Sequence, residues 1–235
     1  MSRKTRIVVS FILMLAVVYG CATTQIQQAD SGPPPPQNLI GSTDELQLVS
    51  EVAIDLARKY GGEKVLVVLE VDNTLLTTDQ VEDCTVAVMR PAQADSAAQI
   101  RRMQDAGLKV IVMSSRGPEC RQQTLAELDR NGFSFRASAW PPRDGYRETF
   151  ITDGGDRSVD YSDGIFLAAG QDKGRMLQVL LEKAGIPEPV LIVMADRQQD
   201  SLNEVMKAFS HTGTKVQAWR YTRKESDTVA LALRQ

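Results

Sequence analysis

The sequence predicts an α/β protein with a three-layer, Rossmann-like fold around a mainly parallel central sheet. Two short segments, Lys64–Val71 and Leu108–Met113, consist almost entirely of Val, Leu, Ile and Met. Such runs are typical of strands that are buried on both faces, as in a parallel sheet. Segments with helical spacing separate these and the later strands, which favours successive strand–helix–strand units with helices covering the sheet.

The first half of the folded region carries start and stop signals for its helices. Ser42-Thr43-Asp44-Glu45 fits a capping box, which predicts a helix from Ser42, and Gly61 ends that helix. Pro91 suits the first position of a second helix, which the composition extends to residue 106 before Gly107 ends it.

A third helix is predicted over residues 118–130. Residues 133–164 are turn-rich and aromatic, with short strands predicted near 148–152 and 164–168. This insertion is too short for a separate cap domain, so it is either a flap or a crossover with a β-hairpin, and we favour the crossover. The remaining predicted elements are helix 173–184, strand 190–194, helix 199–210 and strand 215–220.

The amino terminus has the three-part layout of an export signal. Three cations precede an uncharged apolar stretch over residues 7–19. That stretch is shorter than the roughly 20 residues of a membrane-spanning helix, which favours a processed signal. Val18-Tyr19-Gly20-Cys21 resembles the bacterial lipobox, so we expect residues 1–20 to be a lipoprotein signal peptide and Cys21 to carry the lipid. An ordinary secretory signal or an uncleaved anchor is the alternative.

The segment after the signal indicates a tether and then one domain. Residues 21–41 lack apolar periodicity and contain four consecutive prolines. Residues 42–235 suffice for one domain and are few for two. We therefore expect a lipoprotein anchored in the cell envelope on the periplasmic face, in the outer membrane if the cell has one. The chain has a formal net charge of −3 and no basic stretch that would indicate nucleic-acid binding.

The cysteines fit an oxidising compartment. A lipid on Cys21 leaves Cys84 and Cys120 as a candidate pair. They form either one disulfide or two separate thiols, because sequence separation says nothing about their distance in space.

Polar side chains follow three of the predicted strands at the points where the strands end. In parallel α/β sheets, catalytic and ligand-binding residues lie at the carboxyl ends of the strands. Carboxylates with an ammonium and a hydroxyl suit Mg²⁺ and a phosphate substrate. The residues are Glu70, Asp72, Asn73 and Thr74, then Ser114, Ser115 and Arg116, then Asp196 and Asp200, with Lys173 opening a helix between them.

In this order the residues resemble the four motifs of the haloacid dehalogenase-like (HAD-like) superfamily: DxDxT, a Ser or Thr, a Lys and a terminal acidic pair. The resemblance covers roughly residues 63–220. The string Asp72-Asn73-Thr74-Leu75-Leu76 and the pairs Gly164-Ile165 and Lys173-Gly174 are similar to a family of uncharacterised exported bacterial proteins. The resemblance implies a HAD-like domain with a small or absent cap, Mg²⁺ as cofactor and a phosphorylated small molecule as substrate.

The resemblance also implies roles for the matching residues. Glu70 occupies the place of the nucleophile, and Asp72 is the general acid/base, whose backbone carbonyl also binds the metal. Ser114 binds phosphoryl oxygens, and Lys173 supports the nucleophile and the phosphate. The implied metal ligands are Glu70, Asp72, Asp196 and Asp200, and the implied substrate-binding residues are Thr74, Ser115 and Arg116.

Two residues depart from the family pattern. Glu70 replaces an Asp and is one methylene longer, and an error of ~1 Å in placing an attacking atom can cost roughly 100-fold in rate. Ala195 stands where many relatives have the first acid of the last motif. The alternative form of that motif is an acid followed by another, as in Asp196-Arg197-Gln198-Gln199-Asp200.

Each of these residues also has a purely structural interpretation. Asp72-Asn73-Thr74 could be a turn, and Asp200 is favoured in the first turn of a helix by the helix dipole. Arg116 suits a phosphate and a carboxylate equally. His211, the only histidine, fits a helix carboxyl end before Gly213, which disfavours a Ser-His-Asp triad or a histidine zinc site.

Two hypotheses about function follow. The first is a Mg²⁺-dependent phosphomonoester hydrolase of the HAD-like type. The second is a catalytically inactive HAD-like module that binds a ligand or another envelope component. The presence of Asp72, Ser114, Lys173 and Asp196 favours the first hypothesis, and Glu70 with Ala195 favours the second.

Overall fold

The computed structural model describes residues 33–79, 84, 88–142, 144–146, 149–152, 155–185 and 187–224. The predicted signal peptide, Cys21 and most of the predicted tether lie outside these ranges. The helices are α1 (Leu46–Tyr60), α2 (Ser96–Asp105), α3 (Arg121–Arg130), α4 (Lys173–Ala184) and α5 (Gln199–Ala208). The strands are β1 (Leu39–Thr43), β2 (Val65–Leu69), β3 (Leu76–Thr77), β4 (Arg90–Pro91), β5 (Lys109–Ser114), β6 (Phe150–Ile151), β7 (Ser158–Ser162), β8 (Ile165–Leu167), β9 (Leu191–Asp196) and β10 (Lys215–Tyr221).

Eight strands form one sheet in the order β1-β10-β9-β2-β5-β8-β7-β6. The six strands from β1 to β8 in this order run parallel, and β7 and β6 add an antiparallel edge. The short strands β3 and β4 pair separately. The predicted α/β class with a mainly parallel sheet is confirmed.

Helices cover both faces of the sheet and make three layers. One core cluster joins α1, α2 and α3 to side chains of β2 such as Val67 and Leu69. A second cluster joins α4 and α5 to the other face of the same strand, at Leu66 and Val68. All five residues of β2 are buried, which explains why this strand is apolar on both faces.

The chain order around β2 makes this strand the switch point of the sheet. From β2 the chain passes to β5 on one side, and it later returns to β9 on the other. Ligands of open α/β sheets bind at such a switch point, outside the carboxyl ends of the strands. Residues that directly follow β2 therefore hold the central position at that edge.

The predicted start of the domain is wrong by several residues. Strand β1 begins at Leu39, inside the segment predicted as tether, and pairs in parallel with β10. Gly41 lies opposite Trp219, whose ring approaches so closely that a Cβ at Gly41 would lie 2.7 Å from it. A half-exposed edge strand with a glycine at its centre has no apolar alternation for sequence analysis to detect.

The two amino-terminal helix starts also differ from the prediction. The Ser42 capping box does not form, because Ser42 belongs to β1 and α1 begins at Leu46. The amide of Leu46 donates instead to Oε1 of Gln93, 2.8 Å away. Pro91 is not at a helix start but in β4, and α2 begins at Ser96.

The aromatic insertion contains the favoured hairpin rather than a cap domain. Strands β6 and β7 pair antiparallel, and β7 continues into β8 through a turn in which Asp163 and Gly164 have positive φ. The guanidinium of Arg121 in α3 stabilises this turn, because it donates hydrogen bonds to Asp160 and to the carbonyls of Ser162 and Ile165. The insertion therefore extends the sheet next to β8.

Candidate active site

Three charged side chains meet at the carboxyl edge of the sheet. Side chains alternate between the faces of a strand, so Glu70 lies on the same face as Leu66 and Val68, the face that α4 and α5 cover. By the same alternation Asp196 faces that side from β9. Lys173, the first residue of α4, is therefore brought between the two carboxylates.

The contacts within this charged cluster are direct. Nζ of Lys173 donates to Oε2 of Glu70 and, at 2.6 Å, to Oδ2 of Asp196. The other Glu70 oxygen accepts the amides of Val71 at 2.8 Å and Asp72 at 3.3 Å. The other Asp196 oxygen accepts the amide of Gln198 at 2.7 Å. Every carboxylate oxygen of the pair thus has a donor.

The cluster is almost fully removed from solvent. Lys173 is 1% exposed, Glu70 5% and Asp196 0%. Burial lowers the pKa of Lys173 from its usual value, while Asp196 and Glu204 oppose that shift by favouring the ammonium form. Burying charges costs free energy that an apolar trio of similar volume would not, so the fold alone does not require these residues. Such clusters are typical of functional sites.

The position of Lys173 depends on the contact between α4 and α5. Its amide donates to Glu204 of α5 at 2.9 Å. The next residue, Gly174, faces the carbonyl of Glu204 so closely that any Cβ would collide with it. The Lys173-Gly174 pair therefore combines a cation with the glycine that lets α4 approach α5.

Asp72 does not join the charged cluster but binds Arg116. The guanidinium donates from Nε to Oδ2 at 2.9 Å and from Nη2 to Oδ1 at 2.6 Å, a bidentate pair. Arg116 also donates to Oγ1 of Thr124 and to Sδ of Met89, both at 2.9 Å. The sequence left a phosphate or a carboxylate as the partner of Arg116, and in the structure Arg116 binds the carboxylate of Asp72.

Two predicted hydroxyl side chains, those of Ser114 and Thr74, are fully buried. Ser114 ends β5, and its Oγ accepts the amide of Arg116 at 3.3 Å. Thr74 follows Asn73, which has a left-handed φ of 59°. In the part of the chain that the structure describes, Oγ1 of Thr74 has no hydrogen-bond partner. A buried hydroxyl without a partner lowers the stability of a protein core. In a binding site, the same hydroxyl can form a hydrogen bond with a polar ligand.

Of the predicted metal ligands, the structure brings two carboxylates together, while Asp72 is predicted to bind the metal through its backbone carbonyl rather than its carboxylate. Glu70 and Asp196 come together, Asp72 is held by Arg116, and Asp200 is exposed on the first turn of α5. Among the described residues no group of three or more Asp, Glu, His or Cys side chains could hold a metal ion. Two carboxylates nevertheless fit Mg²⁺, which is usually bound through one or two carboxylates together with waters and substrate phosphate.

The structure also places the two acids of the last motif. Ala195 faces the core on the α1 side, whereas Asp196 faces Lys173. Asp200 instead lines a separate surface cavity of about 350 Å³ with Arg197, Gln198, Gln199 and Arg220. Asp196 is thus the acid of this segment that belongs to the site.

Several supporting residues were not predicted from the sequence. Met89, Thr124 and Glu204 hold Arg116 or Lys173 through contacts that join distant segments. Cys84 and Cys120 form a disulfide with Cα atoms 5.6 Å apart, which links the segment before Met89 to the start of α3. His211 is exposed, and among the described residues it forms no hydrogen bond or ion pair with Glu70, Lys173 or Asp196.

Fold and site together define an α/β protein with a Rossmann-like fold and a buried, charged site at the carboxyl edge of its parallel sheet. The chain belongs to the family described as Protein of unknown function (DUF2608), whose model matches residues 84–232. The matched region contains Ser114, Lys173 and Asp196 and begins after Glu70 and Asp72. No curated protein matches the chain. In the described residues, no helix is both long and apolar enough to cross a membrane.

Proposed function

We propose that the protein is a HAD-like, envelope-anchored lipoprotein that hydrolyses phosphomonoesters with Mg²⁺ and uses Glu70 as its nucleophile. One observation carries the proposal: Glu70, Lys173 and Asp196 form a buried charged cluster at the switch point of the sheet. The amide of Asp72 donates to Glu70 of this cluster at 3.3 Å, and Arg116 contacts both Asp72 and Ser114. In the proposal, Glu70 acts as the nucleophile, Asp72 as the acid/base and Ser114 as a phosphate-binding donor at one edge of the sheet.

The reaction follows from the residues in two steps. A Glu70 carboxylate oxygen attacks the phosphorus, the ester P–O bond breaks, and Asp72 in its protonated form gives its proton to the departing alkoxide. A water molecule then attacks the phosphorus of the acyl phosphate, Asp72 takes the proton of that water, and phosphate leaves with Glu70 restored. Lys173 neutralises Glu70 and the transferred phosphoryl group in both steps.

Mg²⁺ would be held by the carboxylates of Glu70 and Asp196 and the backbone carbonyl of Asp72, and it would neutralise charge on the phosphoryl oxygens. The buried Ser114 hydroxyl and the unpartnered Thr74 hydroxyl are donors for the same oxygens. Arg116 keeps Asp72 next to the reaction site through its bidentate contact.

One observation favours a second function, an inactive binding module. Both oxygens of Glu70 are occupied, one by two backbone amides and the other by Lys173. A carboxylate held in this way attacks only if substrate or metal displaces one of those donors. In the second function, the same edge binds an anionic ligand through Lys173 and Arg116 without turnover.

The test is hydrolysis of p-nitrophenyl phosphate by the purified full-length protein in detergent, with Mg²⁺ and with EDTA. The variants are Glu70→Gln, Glu70→Asp and Asp196→Asn, and the control is Glu51→Gln on the exposed face of α1. We expect Mg²⁺-dependent turnover by the wild type and the control, and a loss of at least about 100-fold in Glu70→Gln and Asp196→Asn.

The other outcomes separate the two functions. An inert wild type with turnover gained in Glu70→Asp would show that the longer side chain has silenced the site. Turnover that survives in Glu70→Gln would exclude Glu70 as nucleophile. No turnover in any variant, and no Mg²⁺ binding by calorimetry, would overturn the hydrolase proposal and leave the binding module.

A further inference from the structure

A second feature of the carboxyl edge is an open cavity of about 450 Å³, lined in part by the loops that follow β5 and β8. One wall comes from the loop after β5, at Ser115 and Gly117. Another comes from Ala169 and Gly170, in the loop that leads from β8 to Lys173. The two loops are tied together, because Ala168 donates to the carbonyl of Ser114 at 2.8 Å and Ala169 to that of Arg116 at 2.9 Å. The cavity therefore lies at the same edge of the sheet as the proposed active site, and its two loops are hydrogen-bonded to each other at Ser114 and Arg116.

The third wall comes from the hairpin insertion. Thr149 precedes β6, and Arg157 and Ser158 lie at the start of β7. The hairpin therefore lines this cavity at the carboxyl edge of the sheet. The cavity lies in the size range of small-molecule sites, roughly 300–1,000 Å³.

The lining is unusual in its chemistry. Small-molecule pockets are mostly lined by apolar and aromatic side chains. Among the described residues, this cavity is lined by three hydroxyl side chains, a carboxylate and a guanidinium, with Pro118 and Ala169 as the only apolar side chains. A hydroxyl group both donates and accepts hydrogen bonds, so this set complements a ligand that carries several hydroxyls itself.

Two glycines leave room for the two charged groups at the surface of the cavity. The Glu119 carboxylate packs against the Cα of Gly117, where any Cβ would collide with it. The Arg157 guanidinium lies over Gly170, donates to its carbonyl at 3.3 Å, and would be 3.2 Å from a Cβ there. A carboxylate on one wall and a guanidinium on the other can each bind two neighbouring hydroxyls of one ligand.

We propose that this cavity, the hydroxyl pocket, binds the alcohol portion of the substrate and selects polyhydroxylated phosphomonoesters such as sugar phosphates over aromatic ones. The inference rests on the proposed hydrolysis for the identity of the phosphoryl group. The preference for a polyhydroxylated alcohol group is inferred only from the residues that line the pocket.

The test compares glucose 6-phosphate with p-nitrophenyl phosphate. The pocket variants are Arg157→Ala and Glu119→Gln, and the matched controls are Arg58→Ala and Glu51→Gln on α1. We expect kcat/KM for glucose 6-phosphate to fall about tenfold in each pocket variant, the effect of losing one or two hydrogen bonds, and kcat/KM for p-nitrophenyl phosphate to stay within about twofold. Titration of glucose 6-phosphate into Glu70→Gln, with and without Arg157→Ala, measures binding independently of turnover.

The outcomes distinguish this inference from the proposed function. If p-nitrophenyl phosphate is hydrolysed but the pocket variants affect both esters equally or neither, the hydroxyl pocket is overturned and the hydrolase remains. If nothing is hydrolysed but Arg157→Ala weakens binding of glucose 6-phosphate, the pocket stands and the hydrolase fails. If glucose 6-phosphate neither binds nor reacts, the pocket inference is wrong.

Discussion

Arg116 holds both carboxylate oxygens of Asp72, at 2.9 Å and 2.6 Å. The pair joins the loop after β5 to the segment after β2, and it is largely buried on the Arg116 side. In the proposed reaction Asp72 must exchange a proton while its position stays fixed. The bidentate contact supplies that position.

Replacing Arg116 by Lys keeps the charge and removes the planar fork that matches a carboxylate. We expect turnover of p-nitrophenyl phosphate to fall between about 10- and 100-fold, because Asp72 loses its orientation. The free energy of unfolding should fall by about 1–2 kcal/mol. The exposed Arg58→Lys is the control. Unchanged turnover in Arg116→Lys would show that Asp72 does not depend on this contact.

Replacing Lys173 by Met removes the cation between two buried carboxylates. Breaking a buried ion pair in this way costs about 3–5 kcal/mol, because the remaining charges have no counter-ion. Urea unfolding should show this loss, whereas Lys207→Met on the exposed side of α5 should change the free energy by less than about 0.5 kcal/mol. Equal stability of the two variants would mean that Glu70 and Asp196 are not charged together.

The Cys84–Cys120 disulfide closes a loop with a sequence separation of 36 residues. Chain-entropy reasoning for a loop of this length predicts a contribution of about 4 kcal/mol. The double variant Cys84→Ser, Cys120→Ser should lose this stability in urea unfolding and should no longer respond to a reducing agent. A wild type whose unfolding midpoint is the same with and without reductant would contradict the prediction.

Asp95 should make the stability of the protein depend on acid pH. A hydrogen bond from Gln99 chiefly holds the pKa of Asp95 below its usual value of 3.8, while partial burial opposes the shift and Gln93 adds to it. A lowered pKa in the folded state stabilises the fold above the unfolded pKa, and that contribution is lost as the pH falls through the folded pKa.

The variant Asp95→Asn tests this dependence. Solvent screens the exposed carboxylate, so the variant should lose at most about 1 kcal/mol at pH 7. The difference from the wild type should vanish in acid well below pH 3.8. Unfolding measured at both pH values checks the sign, and a difference that grows in acid would contradict it.

The elements that sequence analysis located best are those whose environment their own residues determine. The run at β2 is apolar because both its faces are buried, and Gly185 ends α4 in a left-handed conformation at the predicted place. The prediction failed where a residue distant in sequence determines the start or the type of an element. Leu46 begins α1 because Gln93 accepts its amide, and Ser42 lies in a strand because β10 is beside it.

The same distinction holds for the site. Functional residues of parallel α/β sheets lie at the carboxyl ends of the strands, and this rule predicted that Glu70, Ser114 and Asp196 lie at one edge. The rule works here because it depends only on strand direction. It could not predict that Asp72 turns to Arg116 and Asp200 to the surface, because those orientations depend on Met89, Thr124 and the start of α5. Side-chain partners of this kind have no signal in a single sequence.

The central claim is that Glu70 forms a covalent bond with the phosphoryl group. The most direct measurement is mass spectrometry of the protein quenched in acid during turnover of a phosphomonoester with Mg²⁺. We predict a phosphoryl group on the peptide that contains Glu70, increased in Asp72→Asn, where hydrolysis of the acyl phosphate is slowed, and absent in Glu70→Gln. Sustained turnover without that adduct, or with the phosphoryl group on another residue, would contradict the account.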